Sequence, residues 1–284
     1  MADGNEKAIA CNIGFIGAGN MAWAIGEGLV KTGAVSSTQI IVSAPTDNNL
    51  GRWRQLGSKT SFENGDVIKN SDVIILATKP NKLDEALNDA IRTLPPNEVH
   101  SKVFVSILAG VKVDGVHSKV NAVVPKSRVV RVVPNTPVAV GAGASIYCRG
   151  PTATTEDLNL VKKIFSCGGI CEEVPENLMD SAGALCGCGP AFIYIMIEAL
   201  ADGAVKMGVP RAMATKFAAQ TVKGASMMVL ETGKHPGLLK DEVCSPGGTT
   251  ITGVHAMERL GVRSALMDAI EAAAKRSIEL GNKY

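Results

Sequence analysis

Short apolar runs rich in β-branched residues alternate with helix-length segments through the first part of the chain. Between residues 12 and 174 these runs read NIGFIG, QIIVSA, SDVIILAT, KVFVSIL, SRVVRVV, GASIYC and GICEEV. Continuous apolar strands separated by helices are typical of a mostly parallel sheet covered on both faces. The pattern therefore predicts an α/β domain, to which we assign residues 1–174.

The β-rich runs disappear after about Glu176, and the remaining sequence has helical periodicity. Apolar residues surround most of the predicted helix between Ala191 and Met207, which indicates burial on more than one side. An all-helical region of roughly 110 residues is too small to cover such a helix alone. We therefore expect residues 175–284 to form an all-helical domain whose helices interleave with those of a second copy. Breaks between helices are predicted at Gly189-Pro190, Pro210, Pro236 and Pro246.

Charge and composition exclude several classes of partner. The net charge is only +2 and both signs are mixed along the chain, so neither nucleic acid nor an anionic membrane is an expected partner. The longest apolar stretch is interrupted by Glu198 and Asp202, which argues against a membrane span. The first ten residues, MADGNEKAIA, lack a targeting pattern, and we expect a cytoplasmic protein.

The seven cysteines follow no disulfide framework, which is typical of a reducing compartment. Cys167 and Cys171, and Cys186 and Cys188, are spaced closely enough to suggest metal ligands. No histidine has ligand spacing to either pair, so no metal site is expected.

A glycine-rich turn follows the first predicted strand. Gly17, Gly19 and Ala22 form G-x-G-x-x-A at the start of a helical run from Met21 to Lys31. The first glycine permits a tight turn, the second lets the backbone approach a pyrophosphate, and the small third residue permits close packing of helix and strand. Because strand, turn and helix stand in the required order, we predict a dinucleotide site, against the alternative of a plain tight turn.

The end of the second predicted strand reads Val42-Ser43-Ala44-Pro45 and carries no carboxylate. NAD-binding chains usually place an acid here for the ribose hydroxyls. NADP(H) is therefore favoured, with NAD(H) as the alternative. Ser43, Thr46 and Arg52 are candidates for the 2′-phosphate, although Arg52 is also compatible with an ordinary solvated helix charge.

A third pointer is the segment ILATKPNKL, in which a buried strand ends at Ala77, Thr78, Lys79 and Pro80. Ligands of open α/β sheets bind beyond the carboxyl ends of the strands, so these residues are expected to face the crevice. Lys79 either contacts the cofactor or shields an exposed strand end.

A second glycine turn lies in LKDEVCSPGGTTITGVHAMERLG. Pro246-Gly247-Gly248 forces a turn, and Thr249-Thr250 opens an amphipathic helix. Successive amides at such a helix start bind an anion the size of a carboxylate. The alternative is that threonine is only an N-cap, but a cap does not require the flexible Pro-Gly-Gly before it.

These segments together resemble the pyrroline-5-carboxylate reductase family. The resemblance runs from about residue 12 to the C-terminus and is carried by GFIGAGNMA, ATKP, VVPNTPVAVGAG, GPAFIYIMIEALADGAVKMGVPR and the long segment around SPGGTT. It implies a Rossmann domain followed by an all-helical dimerisation domain, and a substrate site between domains and across two subunits. The expected assembly is a homodimer through the C-terminal helices, with a higher oligomer of dimers left open.

The resemblance also implies roles for individual residues. It places the substrate carboxylate at Ser245–Thr250 and makes the Thr250 hydroxyl, as the catalytic group, a hydrogen-bond partner of the ring nitrogen. The implied substrate-binding residues are Ser245, Gly247, Gly248, Thr249, Thr250 and Glu176. The implied cofactor-binding residues are Ile16, Gly17, Ala18, Gly19, Asn20, Met21, Ser43, Ala44, Asn64, Ala77, Thr78, Lys79, Pro80 and Ala109.

Two departures from the family pattern stand out. Cys186 and Cys188 occupy positions where the family has serines, and Ala44 replaces a polar residue that often touches the 2′-phosphate.

The reaction that the resemblance implies passes a hydride from a reduced nicotinamide to the C=N carbon of a cyclic imine acid, giving L-proline.

Alternative readings stay open. A β-hydroxyacid dehydrogenase would carry a lysine-centred site, but Lys206 lies at the wrong end of its helix. A broader imine reductase and a dinucleotide-sensing dimer without catalysis also remain, although intact Gly247, Gly248 and Thr250 oppose the latter. His255 is the candidate general acid among the histidines, or else a packed or capping residue.

Overall fold

A computed structural model describes residues 8–95 and 101–283. The chain divides into two compact units: one holds the residues up to Cys188 together with those from Ala273 onward, and the other is Gly189–Ala272. Strands give way to helices where we expected, because the last strand ends at Glu173. A domain boundary between residues 174 and 175 stays a prediction.

The first unit contains one sheet, in which eight strands are described. They are β1 (Ile13–Ile16), β2 (Ile40–Ser43), β3 (Lys59–Ser61), β4 (Val73–Leu76), β5 (Val103–Ser106), β6 (Arg128–Val133), β7 (Gly143–Arg149) and β8 (Gly169–Glu173). Their order is β3-β2-β1-β4-β5-β6-β7-β8, and every neighbouring pair is parallel except β6 with β7. The first six strands have the Rossmann order, so the predicted fold class is confirmed.

Helices cover both faces of this sheet. They are α1 (Asn20–Lys31), α2 (Leu50–Leu56), α3 (Asn64–Lys69), α4 (Leu83–Thr93), α5 (Val113–Val123) and α6 (Thr155–Ser166). Successive strand residues point to opposite faces, so Phe15 belongs to the core cluster that includes α1, α2 and α6, while Ile16 belongs to the cluster that includes α3, α4 and α5. The strands β1, β2, β4 and β5 are buried at every position, as expected of a doubly covered sheet.

Every predicted strand is present, but β3 was not predicted. Its sequence, Lys-Thr-Ser, is short and polar, so it gives no apolar signal. It joins the sheet through backbone pairing, with Ser61 opposite Ser43 of β2.

The described chain after Glu173 is helical. The helices are α7 (Met179–Gly183), α8 (Gly189–Lys206), α9 (Arg211–Thr232), α10 (Pro236–Val243), α11 (Thr249–Arg259) and α12 (Val262–Gly281). The breaks near Pro210, Pro236 and Pro246 are confirmed, because these prolines precede or begin helices. The break at Gly189-Pro190 is wrong, since a π turn over Ala184–Cys188 joins α7 to α8 without interruption.

The second unit exposes much apolar surface. Its α8 and α9 pack through Ala201, Ala214 and Ala218. Tyr194 and Ile195 of α8 remain 59% and 65% exposed. Within the described part of the chain, the run Glu176–Lys206 is also the one helical segment long and apolar enough to span a membrane by length and composition alone.

Candidate active site

The first glycine turn is locked between the ends of two strands. Gly17 has φ +107°, and a Cβ there would lie 2.6 Å from the carbonyl oxygen of Ala77, so only glycine fits. Its amide donates to the Ser43 carbonyl at 3.0 Å, and the Ala77 amide donates to the Ile16 carbonyl at 2.9 Å. The turn therefore sits at the carboxyl ends of β1, β2 and β4.

Gly19 leaves space at the start of α1. It is the N-cap of that helix, no side chain caps it, and a Cβ there would meet nothing within 4 Å. Among the described residues no side chain caps the first amides of α1, and the space beside Gly19 is open. A helix start of this kind attracts phosphate through its amides and its dipole.

A groove of about 990 Å³ runs across this edge of the first unit. Most predicted cofactor residues line it: Ile16, Gly17, Ala18, Gly19, Ser43, Ala44, Asn64, Ala77, Thr78 and Lys79. Four predicted positions, Asn20, Met21, Pro80 and Ala109, lie outside its lining. Asn20 is the first residue of α1, and Ala109 is exposed in the turn after β5.

Ser43 and Asn64 form a hydrogen-bonded pair at the end of β2. The buried Ser43 Oγ donates to Asn64 Oδ1 at 2.6 Å. The Asn64 side-chain Nδ2 donates to the Ala86 carbonyl at 2.9 Å, and the Asn64 backbone N–H donates to Asp89 Oδ2 at 2.8 Å. Ser43 therefore orients Asn64 rather than offering its hydroxyl to the groove.

Arg52 holds the glycine turn from outside the groove. Its Nη2 donates to the Ala18 carbonyl at 2.8 Å, and its guanidinium lies 5.0 Å from the Trp23 ring centroid. Burial lowers the pKa of Arg52 from its usual value. Arg52 therefore contacts the glycine turn directly, while its roles as a phosphate ligand or as a solvated helix charge stay predictions.

The charges along the groove are mostly paired. Lys82 lies 2.5 Å from Glu85, and Arg92 lies 2.6 Å from Asp89. Lys79 is exposed and, among the described residues that line the groove, is the cation without an acidic partner. Its charge is available to an anionic ligand.

Sequence reasoning missed part of this groove. Asn49, Phe62 and the exposed face of α4 line it as well. Phe62 follows the unpredicted strand β3 directly, and the charges of α4 have the pattern of an ordinary solvated helix. The available signal in the sequence was that Phe62 stands two residues before Asn64, which was already a predicted cofactor residue.

The second glycine turn begins α11. Gly247 has φ +65°, and Gly248 is the N-cap, whose amide donates to the Ser245 carbonyl at 3.1 Å. A Cβ on Gly248 would overlap Ser245 Oγ. Thr249 and Thr250 follow as the first two helical residues, and no side chain caps the helix. The N-cap interpretation of Thr250 is therefore wrong.

Other candidate residues lie elsewhere in their units. Glu176 Oε1 accepts a 2.7 Å bond from the Val113 amide at the start of α5 and lies 3.5 Å from Nη1 of the buried Arg131. A substrate role for Glu176 stays a prediction. His255 is exposed on α11, so within this chain it neither packs nor caps.

Residues 8–95 and 101–283 contain no cluster of three potential metal ligands among His, Cys, Asp and Glu.

Two family profiles match the chain. Residues 12–110 match a family described as NADP oxidoreductase, coenzyme F420-dependent, and residues 176–280 match one described as pyrroline-5-carboxylate reductase dimerisation. Pyrroline-5-carboxylate reductase 3 of Rattus norvegicus is 42% identical over 283 residues, covering 100% of both chains. Pyrroline-5-carboxylate reductase of Methanosarcina acetivorans is 45% identical over 273 residues, covering 95% of this chain and 98% of its own.

Solved structures agree with these relatives. Pyrroline carboxylate reductase of Plasmodium falciparum with NADP bound matches with a TM-score of 0.83 and 31% identity, covering 96% of this chain and 99% of that one. A reductive aminase from Aspergillus terreus matches with a TM-score of 0.55 and 15% identity, covering 97% of this chain and 93% of that one, which shows likeness of fold alone.

Proposed function

The chain belongs to the pyrroline-5-carboxylate reductase family, and we propose that its two glycine turns each bind one of the two reactants. It is an NAD(P)H-dependent oxidoreductase that reduces the C=N bond of 1-pyrroline-5-carboxylate to L-proline, the last step of proline biosynthesis. The observation that carries this function is the identity of 42% over the full length of a reductase of that name.

The groove of the first unit fits NADP(H), the favoured cofactor. The open space at Gly19 suits a pyrophosphate, and the end of β2 carries no carboxylate against a 2′-phosphate. A relative's structure holds NADP. When bound, the reduced cofactor supplies the hydride for the C=N carbon. NAD(H) fits the same backbone contacts and is the alternative.

In our proposal the first amides of α1 hold the pyrophosphate, and Lys79 adds a positive charge beside it. The side chain of Asn64 is held in place by Ser43 Oγ and by the Ala86 carbonyl, so it is a fixed contact for the cofactor at the end of β2. Asn20 and Met21 at the start of α1, Pro80 after Lys79, and Ala109 in the turn after β5 complete the proposed cofactor set.

The start of α11 is the proposed substrate site. Its uncapped amides bind the carboxylate of the imine acid, with Ser245, Gly247, Gly248 and Thr249 shaping the turn. Thr250 Oγ1 orients the ring nitrogen. Because a hydroxyl without an adjacent base is a poor acid at neutral pH, solvent is the proposed source of the proton. Glu176 remains a proposed member of this set.

We also propose a homodimer formed through the helices of residues 176–280. That range matches the dimerisation family, and a second copy would cover exposed α8 residues such as Tyr194 and Ile195. In such a dimer the apolar run Glu176–Lys206 packs against protein from the second copy. Sedimentation at micromolar concentration tests this: a dimer or a higher oligomer of dimers is expected, and a monomer contradicts it.

A cytoplasmic location is part of the proposal. It is supported by the seven cysteines, all of which are free thiols, as is typical of a reducing compartment.

The function is tested by following NADPH and NADH oxidation with pyrroline-5-carboxylate as substrate. We expect one mole of proline to form for each mole of cofactor oxidised, and the reaction to be faster with NADPH than with NADH. A linear keto acid and 1-pyrroline, which lacks the carboxylate, serve as controls and should react poorly. Equal rates with 1-pyrroline would contradict carboxylate recognition, and absence of proline would contradict the function.

A further inference from the structure

Phe62 is an exposed aromatic side chain inside a ligand groove. The residue is 59% exposed, yet it lines the proposed cofactor groove. Single exposed apolar residues are common on convex surfaces and need no explanation. An aromatic ring lining a concave site is different, because apolar and aromatic side chains there usually contact the ligand.

The backbone of β3 sets the position of Phe62. Ser61 pairs with Ser43 in the parallel register of β2 and β3, and the Ala44 amide donates to the Ser61 carbonyl at 3.3 Å. Phe62 is therefore level with Ala44, just beyond the carboxyl end of β2. Ala44, Pro45 and Phe62 all line the groove, and we call these three residues the apolar end.

The apolar end contrasts chemically with the glycine turn. Around Gly19 the groove offers amides and a helix dipole, which suit phosphate. The apolar end offers a methyl group, a pyrrolidine ring and a phenyl face, which suit the flat face of a base rather than a pyrophosphate. A dinucleotide matches both chemistries, because it carries a purine base beside its phosphates, and bases stack on aromatic rings through their π faces.

We infer that the Phe62 ring is the face on which the adenine of the dinucleotide stacks, with Ala44 and Pro45 beside it. This inference rests on the proposed binding of NADP(H) in the groove. Adenine is common to NADPH and NADH, so Phe62 contributes to the affinity for both and not to the choice between them. That choice belongs to groups that meet the 2′-phosphate.

Equilibrium titration of cofactor fluorescence tests the inference without turnover. The variants are Phe62→Ala, Phe62→Leu and Phe62→Tyr, and the ligands are NADPH, NADH and reduced nicotinamide mononucleotide, which lacks adenine. Because the side chain is exposed, the three variants should unfold at the temperature of the original protein when no ligand is present.

Alanine and leucine should weaken NADPH and NADH binding by the same factor, about tenfold, since base stacking on an aromatic ring is of that order. Tyrosine should restore binding, and the mononucleotide should bind all variants equally. Unchanged NADPH binding in Phe62→Ala, full affinity in Phe62→Leu, or weakening confined to NADPH would each overturn the inference. Failure of the original protein to bind NADPH would instead overturn the cofactor site itself, and the inference with it.

Discussion

The side-chain amide of Asn135 donates a 3.0 Å hydrogen bond to the backbone carbonyl of Cys186. In a regular α-helix this carbonyl would accept from the residue four positions later, which is Pro190 and has no N–H. The π turn at Ala184–Cys188 accommodates the proline, and Asn135 satisfies the carbonyl. Asn135 Oδ1 also accepts from the Ala144 amide at 3.0 Å, so one buried side chain ties this turn to β7.

Replacing Asn135 by alanine should destabilise the protein. The change removes two hydrogen bonds to half-buried backbone groups, which together cost about 1–3 kcal/mol. Urea unfolding followed by circular dichroism measures the loss. Asn159→Ala, at an exposed position of α6, is the control and should change the free energy of unfolding by no more than about 0.5 kcal/mol. Equal stability of the two variants would refute the role of Asn135.

The two glycines of the first turn should respond differently to alanine. Gly17→Ala forces a left-handed φ on alanine and a clash with the Ala77 carbonyl, so it should cost at least about 1–3 kcal/mol of stability. Gly19→Ala meets open space and should cost within about 1 kcal/mol. Its methyl group nevertheless fills the space proposed for the pyrophosphate, so NADPH affinity should fall by about tenfold or more. Thermal unfolding and cofactor titration measure the two effects; undiminished binding by Gly19→Ala would argue against a phosphate there.

Thr250→Ala should lower kcat/KM for pyrroline-5-carboxylate by about one to two decades, or about 1.4–2.8 kcal/mol. Stability should hardly change, because Thr250 is not the N-cap of α11. Thr252→Ala is the matched control, since the Thr252 hydroxyl is already bonded to the Gly248 carbonyl at 3.1 Å, and its kcat/KM should stay within about twofold. Similar losses in both variants would indicate a structural effect of the helix start.

Thiol reactivity should separate the cysteines by burial. Burial raises the pKa of Cys148 and of Cys171 to about 12, and the Glu176 carboxylate adds to the shift of Cys148. Because the raised pKa keeps both groups as thiols, their alkylation by iodoacetamide should stay negligible from pH 7 to pH 9, whereas a thiol of ordinary pKa ionises over that range. Peptide mapping of native and urea-unfolded protein reads this out. A steep rise in native alkylation at either residue would contradict the burial.

Sequence patterns predicted most of the sheet because buried parallel strands are apolar throughout, as in Val73–Leu76. They could not predict β3, whose pairing with β2 uses backbone groups and leaves no side-chain signal. They also placed a break at Gly189-Pro190, since proline normally ends a helix, and the compensating hydrogen bond comes from Asn135, far away in sequence.

In the candidate site, too, the features set by local sequence were predicted, and those set by tertiary structure were not. Glycines with positive φ, such as Gly17 and Gly247, are needed for local reasons and were found from local sequence. Arg52 and Glu176 were harder, because their partners, the Ala18 carbonyl and the Val113 amide, are set by tertiary structure. Phe62 was missed because its place in the groove depends on β3.

The central claim is that the first glycine turn binds the cofactor and the second binds the imine acid. Steady-state kinetics of Gly19→Ala and Thr250→Ala, with each reactant varied at saturating levels of the other, test it most directly. We predict that Gly19→Ala raises KM for NADPH alone. Thr250→Ala should lower kcat/KM for pyrroline-5-carboxylate and leave KM for NADPH unchanged. A rise in the same KM in both variants would contradict the assignment of the two turns to separate reactants.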